Sequence, residues 1–320
     1  MLNNILILSA GRRVSLVKAF QSAVNHLNIS ADVYGADMNP AMSAACNVLE
    51  NSFTLPHVSS EKYLSELKKL CLEQSVKLVV PTIDTELLKL AKEKSEFLKL
   101  GITVVVSDLS LVKPCRDKRL THDLFTSIGI DVPKTYSNFE ISFPCFSKPI
   151  AGSLSQNIRI LNNREELESW DINIDEMMFM EIVSSEEFDE FTIDIYYARD
   201  GQLKCIVPRQ RIEVRGGEIS KGKTNKSLVN LIKAPMSKIK GAFGCLTLQV
   251  FKSKTSDQMF GIEINPRFGG GFPLSNASGA RYPELLVREV FLDETIDYFD
   301  DWEDNLVMLR YDAEVLVRHG

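Results

Sequence analysis

The sequence predicts an α/β chain with α+β lobes: a Rossmann-like domain first, then two smaller units. Strand-length apolar runs alternate with helical patterns over the first third, and strands dominate the last part. In order, Ile5 to Leu8 reads as a buried strand and Val14 to Leu27 as a helix with apolar residues at helical spacing. Val33 to Ala36 is a second strand and Tyr63 to Glu73 an amphipathic helix. Leu78 to Val80, Leu87 to Leu100 and Thr103 to Val106 continue the pattern as strand, helix and strand. Strands separated by helices need crossover connections, so they form a parallel sheet covered on both faces. Residues 1–112 are therefore expected to be Rossmann-like.

A second unit is expected over 113–183. It opens with a helix from Lys118 to Ile128 that stops at Gly129, and adds strands over Phe143 to Lys148 and Ile158 to Leu161. The third, 184–320, contains strands over Thr192 to Tyr197, Leu203 to Val207, Thr247 to Phe251 and Phe260 to Ile264, with a helix over Tyr282 to Phe291.

The chain has 320 residues, 44% of them hydrophobic, which is enough for several packed lobes. Its net charge of -6 argues against a general nucleic-acid binder, which carries a basic excess. Six cysteines without any CxxC pair read as buried free thiols and fit a reducing cytoplasm. The amino terminus has no basic stretch ahead of an apolar run, and no segment is long enough to span a bilayer, so neither a signal peptide nor membrane attachment is expected. Oligomeric state is not legible; a homodimer is compatible with everything above.

The chemistry concentrates near Gly261-Ile262-Glu263-Ile264-Asn265-Pro266-Arg267-Phe268. Glu263 and Asn265 are two apart on a strand and share a face. A carboxylate beside an amide oxygen is the hard donor set that Mg²⁺ uses when it also holds phosphates. Arg267 continues the alternation with a fixed positive charge suited to a transferring phosphoryl group. Gln249, on the neighbouring apolar strand, is a candidate third ligand. The bland alternative is the solvated face of an edge strand.

Glu263-Ile264-Asn265-Pro266-Arg267 resembles the metal-binding signature of the ATP-grasp superfamily, in its carbamoyl-phosphate-synthase-like branch. The resemblance runs through the chain in order. Lys118, in Arg116-Asp117-Lys118, and Lys148, in Phe146-Ser147-Lys148-Pro149, resemble the two nucleotide-binding lysines. Glu181-Ile182-Val183 resembles the hinge whose backbone reads adenine, and Glu190 resembles the acid that holds the ribose. The phosphate-covering loop departs from the family pattern: Ala151-Gly152-Ser153-Leu154-Ser155-Gln156-Asn157 has a single glycine, so Ser153, Ser155 and backbone amides are left to cradle phosphate. The resemblance implies an ATP-grasp fold of two α+β subdomains after the Rossmann-like domain. It also implies ATP with Mg²⁺, or Mn²⁺ in its place, and a ligase that joins a small carboxylate to an amine or ammonia through an acyl phosphate. A carboxylate kinase and a non-catalytic nucleotide-binding module are the rivals.

Arg209, Arg211 and, in the absence of a bulge, Arg215 fall on one face of an extended segment, 207–218. They read as a clamp on the γ-phosphate and the carboxylate, or else as a salt-bridged edge. Lys221 and Lys223 read as part of a loop able to close over the site. In the first domain, Gly11 alone does not make a dinucleotide fingerprint, but Arg12 and Arg13 at a helix start oppose the dipole and imply an anion partner. Asp84 and Glu86 follow a strand end and are candidates for binding the amine, or ordinary loop polar groups.

Overall fold

The structure is a computed structural model that describes residues 3–151 and 157–318. β1 (Asn4–Leu8), β2 (Val33–Asp37), β3 (Ser52–Thr54), β4 (Val76–Val80) and β5 (Thr103–Val104) form a parallel sheet in the order β3-β2-β1-β4-β5. Between them run α1 (Val14–His26), α2 (Ala44–Asn47), α3 (Tyr63–Glu73) and α4 (Asp84–Lys99), and α5 (Leu109–Val112) follows β5. The alternation within β1 explains the two covered faces. Ile5 and Ile7 pack with Phe20 on one side, while Leu6 and Leu8 pack with Leu67 and Leu87 on the other. α4 begins three residues before the predicted Leu87. Asp84 and Glu86 thus lie in its first turn, where free N–H groups favour acidic side chains, rather than in a loop.

The second unit opens with α6 (Lys118–Ile128). Asp117 caps it by accepting from Arg119 N, and Gly129, at φ +90°, ends it. β6 (Thr135–Tyr136), β7 (Cys145–Pro149), β8 (Arg159–Leu161) and β9 (Met177–Met180) make an antiparallel sheet in the order β6-β9-β7-β8, with α7 (Arg164–Glu168) between β8 and β9. Cys145 and Phe179 face the small core, whereas Phe146, Met178 and Met180 face away from it with Ile150.

The largest sheet contains β10 (Phe188–Tyr197), β11 (Leu203–Arg215), β12 (Glu218–Thr224), β13 (Gly244–Ser253), β14 (Met259–Asn265) and β15 (Val307–Leu309). Its order is β14-β13-β10-β11-β12-β15, all antiparallel, and α8 (Val229–Met236), α9 (Phe272–Ala277) and α10 (Tyr282–Phe291) pack around it. β11 is far longer than predicted, and Lys221 and Lys223 belong to β12 rather than to a closing loop. The six cysteines are free thiols, buried except for the half-buried Cys115. Among the described residues no helix is long and apolar enough to cross a membrane.

One face of the large sheet is apolar through Phe191, Ile193, Ile195, Leu246, Leu248 and Val250, and these join the main core. The other face is polar, and its centre is Arg209. That side chain is fully buried and pairs with buried Asp194 through Nε at 2.9 Å and Nη2 at 3.1 Å. Ser275 Oγ (2.6 Å) and Thr247 Oγ1 (3.2 Å) also donate to Asp194. Arg209 therefore does not serve in a substrate clamp: burial and a bidentate carboxylate occupy it. It also explains the third glycine of the 269–271 run, since a Cβ on Gly271 would lie 2.2 Å from Arg209 Nη1. Removing one partner of such a pair strands a buried charge. Arg209→Met is expected to lower the unfolding free energy by about 3–5 kcal/mol in urea denaturation, with Asp194→Asn added to it recovering part of the loss.

Candidate functional site

The rest of the polar face follows from register. Gln249 lies opposite Glu263 and Thr247 opposite Asn265 across β13 and β14, while Thr192 pairs Gln249 from β10. The two-residue period then brings Glu190, Thr192, Arg211, Gln249, Glu263 and Asn265 onto one surface. Asn265 Nδ2 donates to Glu263 Oε1 at 2.7 Å. The Gln249 amide, oriented to match its neighbours, donates to the same oxygen at 3.0 Å and accepts from Arg211 Nη1 at 3.2 Å. Arg211 Nε lies 3.1 Å from Glu190, and Arg211 Nη1 reaches Thr192 Oγ1 at 3.3 Å. Burial pushes the Glu190 carboxyl up, against the pull of Arg211.

Two lysines come to this surface from other elements. Lys118 opens α6, and α6 lies close to β14 because residue 261 is glycine: a Cβ there would sit 2.6 Å from the Phe125 ring. Lys148, on β7, is 6% exposed, and burial followed by repulsion from Lys118 lowers its pKa to about 8, with Glu263 opposing. Burial likewise lowers Lys118, again against Glu263. The charges of both lysines and of Glu263 are thus close enough to act on one another. His122, one helical turn after Lys118, was not anticipated. It is 5% exposed with neither ring nitrogen hydrogen-bonded, and burial, then Lys148, lowers it to about 4. Its i,i+4 spacing from Lys118 was the available signal.

Glu181 N donates to Lys134 O at 2.9 Å and its carboxylate accepts from Lys134 N at 2.8 Å. That leaves Ile182 and Val183 as the hinge amides without a protein acceptor among the described residues. Ser153 and Ser155 lie outside the described residues; Asn157 is described and takes the left-handed conformation, φ +54°. Register shifts between Arg211 and Val214 put Arg215 out of the row, in an exposed pair with Asp312. Arg267 points toward the first domain, where Asp84 holds it by Nε at 3.1 Å and Nη2 at 2.7 Å. Asp84 thus acts as an arginine partner.

The oxygens available to a cation are Glu263 Oε2 and Asn265 Oδ1, which no described residue reaches with a donor. One carboxylate with an amide is a sparse set, the kind Mg²⁺ accepts when phosphates and water complete its octahedron. Gln249 is in place beside them, and its amide ties Glu263 to Arg211. Lys148 is a cation below about pH 8 and loses its charge above it. Without metal, affinity for a fluorescent ATP analogue is expected to fall as pH rises from 7 to 9, and Lys148→Arg should flatten that profile.

A family model described as "PylC-like, N-terminal domain" matches residues 5–105, and one described as "ATP-grasp in the biosynthetic pathway with Ter operon" matches residues 173–310. Carbamoyl-phosphate synthase of Methanobrevibacter smithii is 22% identical over 231 residues, which span 66% of this chain and 62% of that relative. The biotin carboxylase domain of Hydrogenobacter thermophilus 2-oxoglutarate carboxylase, solved with MgADP, ADP and bicarbonate, superposes with a TM-score of 0.72 at 14% identity, covering 96% of this chain and 74% of that one. N5-carboxyaminoimidazole synthetase of Staphylococcus aureus, solved with ADP, gives 0.71 at 14% identity, covering 92% and 79%. The parallel domain, the two antiparallel sheets and these matches agree: the fold is that of the ATP-grasp structures, and residues 173–310 match an ATP-grasp family model.

Proposed function

We propose that the chain is a Mg-ATP-dependent ligase that joins a carboxylate to an amine or ammonia through an acyl phosphate. The observation that carries this reading is the row Arg211–Gln249–Glu263–Asn265, with the charges of Lys118 and Lys148 acting on its Glu263. The similar structures solved with ADP, MgADP and bicarbonate support it.

In this reading Lys118 and Lys148 hold the nucleotide phosphates, the 181–183 backbone reads the base and Glu190 takes the ribose hydroxyls. Ser153 and Ser155 would cover the phosphates. Mg²⁺ bound by Glu263 and Asn265 would neutralise phosphate charge. Arg211 steadies Glu263 through Gln249 and faces the nucleotide, while Arg267 steadies the carboxylate. A carboxylate oxygen attacks the γ-phosphorus in line and the bond to the ADP oxygen breaks. The amine nitrogen then attacks the acyl carbon, phosphate leaves with the bonding pair, and the nitrogen gives up a proton to solvent.

Phosphate release from Mg-ATP with a panel of acids and amines tests the reading. Release that needs both partners supports a ligase; release with the acid alone indicates a kinase. Release with neither class at any combination indicates a binding module. Glu263→Gln is expected to lower Mg-dependent turnover by about 100-fold or more, and full retention would remove Glu263 from the site.

A further inference from the structure

α6 and the small sheet enclose a cleft of about 440 Å³, with β6, β9 and the residue after β7 opposite the helix. That volume suits a small molecule. Lys118, Glu190, Gln249, Glu263, Asn265 and the 181–183 hinge are not among its lining residues, so it is a space apart from the candidate nucleotide groups. Ile150 and Met178 give it an apolar side, and a methionine sulfur packs well against the edge of an aromatic ring.

His122 is the one buried polar side chain among the lining residues. It is 5% exposed, and neither ring nitrogen has a hydrogen-bond partner among the described residues. Burial and Lys148 hold the ring neutral, so it carries one N–H donor and one bare acceptor. A buried polar group without a partner is unfavourable until a ligand supplies one. Lys148, beside His122, disfavours a cation at that end of the cleft.

The charge at the rim has the opposite sign. Arg119 is committed to Asp117, which does not line the cleft, through Nε at 3.2 Å and Nη2 at 2.7 Å. Asp123 has no hydrogen-bond or ion-pair partner among the described residues. The Asp175 carboxylate accepts only from Asn138 Nδ2, at 3.2 Å. The cleft thus pairs an unbalanced acidic rim with a neutral, unsatisfied imidazole deeper in.

We propose that this cleft binds a small amine with an aromatic body, its ammonium against Asp123 and Asp175 and a neutral hydroxyl at its far end against His122. The site is additional to the nucleotide site and does not depend on the ligase reading.

The test is ligand-observed NMR on the full chain with tyramine as the probe and a fluorescent ATP analogue present at saturation. Phenethylamine lacks the hydroxyl, tyrosol replaces the amine by a neutral group, and para-hydroxyphenylacetate replaces it by an acid. Tyramine is expected to bind about tenfold tighter than tyrosol or the acid, and several-fold tighter than phenethylamine. His122→Phe should remove the advantage of tyramine over phenethylamine and leave phenethylamine itself unchanged, whereas a merely structural role would weaken both alike. Asp123→Asn combined with Asp175→Asn changes only exposed side chains, and should weaken both amines about tenfold without affecting tyrosol. Melting temperature reports whether each variant is folded. Failure of tyramine to bind, displacement of tyramine by the ATP analogue, equal binding of tyramine and tyrosol, or unchanged amine binding in the double variant would each overturn the proposal.

Discussion

Everything polar on the large sheet is arranged around the pair between Asp194 and Arg209. Asp194 takes donors from β11, β13 and α9, so its one carboxylate ties together strands adjacent in the sheet and the helix over it. Tyr282, at the start of α10, adds a bond to its backbone oxygen at 2.9 Å. A charge so deeply placed is tolerated because its oxygens are saturated. The pair also fixes β11 against β10, and so sets where Arg211, two residues after Arg209, meets Glu190, four residues before Asp194.

From this anchor the site grades outward toward solvent and toward ligand. Arg209 has its carboxylate and no access, whereas Arg211 has partial exposure and shared partners. Lys118 and Lys148 are brought near each other despite mutual repulsion, and Arg13 near Arg267. Close packing elsewhere holds these like charges together. Phe125 against Gly261 sets α6 on β14, and the bidentate Asp84–Arg267 pair joins the first domain to the segment just after β14. Stability from the core is thus spent on cationic crowding that a polyanionic ligand relieves.

Much of the fold was legible because strand and helix periods are local. α3 and α10 fall where the sequence predicts them, and the Glu263–Asn265 alternation specified its own face. The errors were of longer range. Arg209 and Arg211 have the same type and the same face, and only the identity of the cross-strand neighbour, Asp194 or Glu190, separates structural anchor from site residue. The bulge that removes Arg215 depends on the pairing of β12, which no local pattern announces. His122 meets Lys148, 26 positions away, a neighbour that no local pattern announces. Gly271 makes room for an arginine whose burial was itself unforeseen.

The buried thiols have a practical consequence. Cys71 lies in the parallel domain, Cys145 in the small sheet, and Cys205 and Cys245 in the large one. Burial pushes Cys71 and Cys205 up to about 12, and Cys145 and Cys245 also upward, so none reacts readily while its lobe stays closed. Each lobe therefore carries a native clock. The rate at which a thiol reagent labels each cysteine reads the local opening of that lobe alone, with no probe introduced.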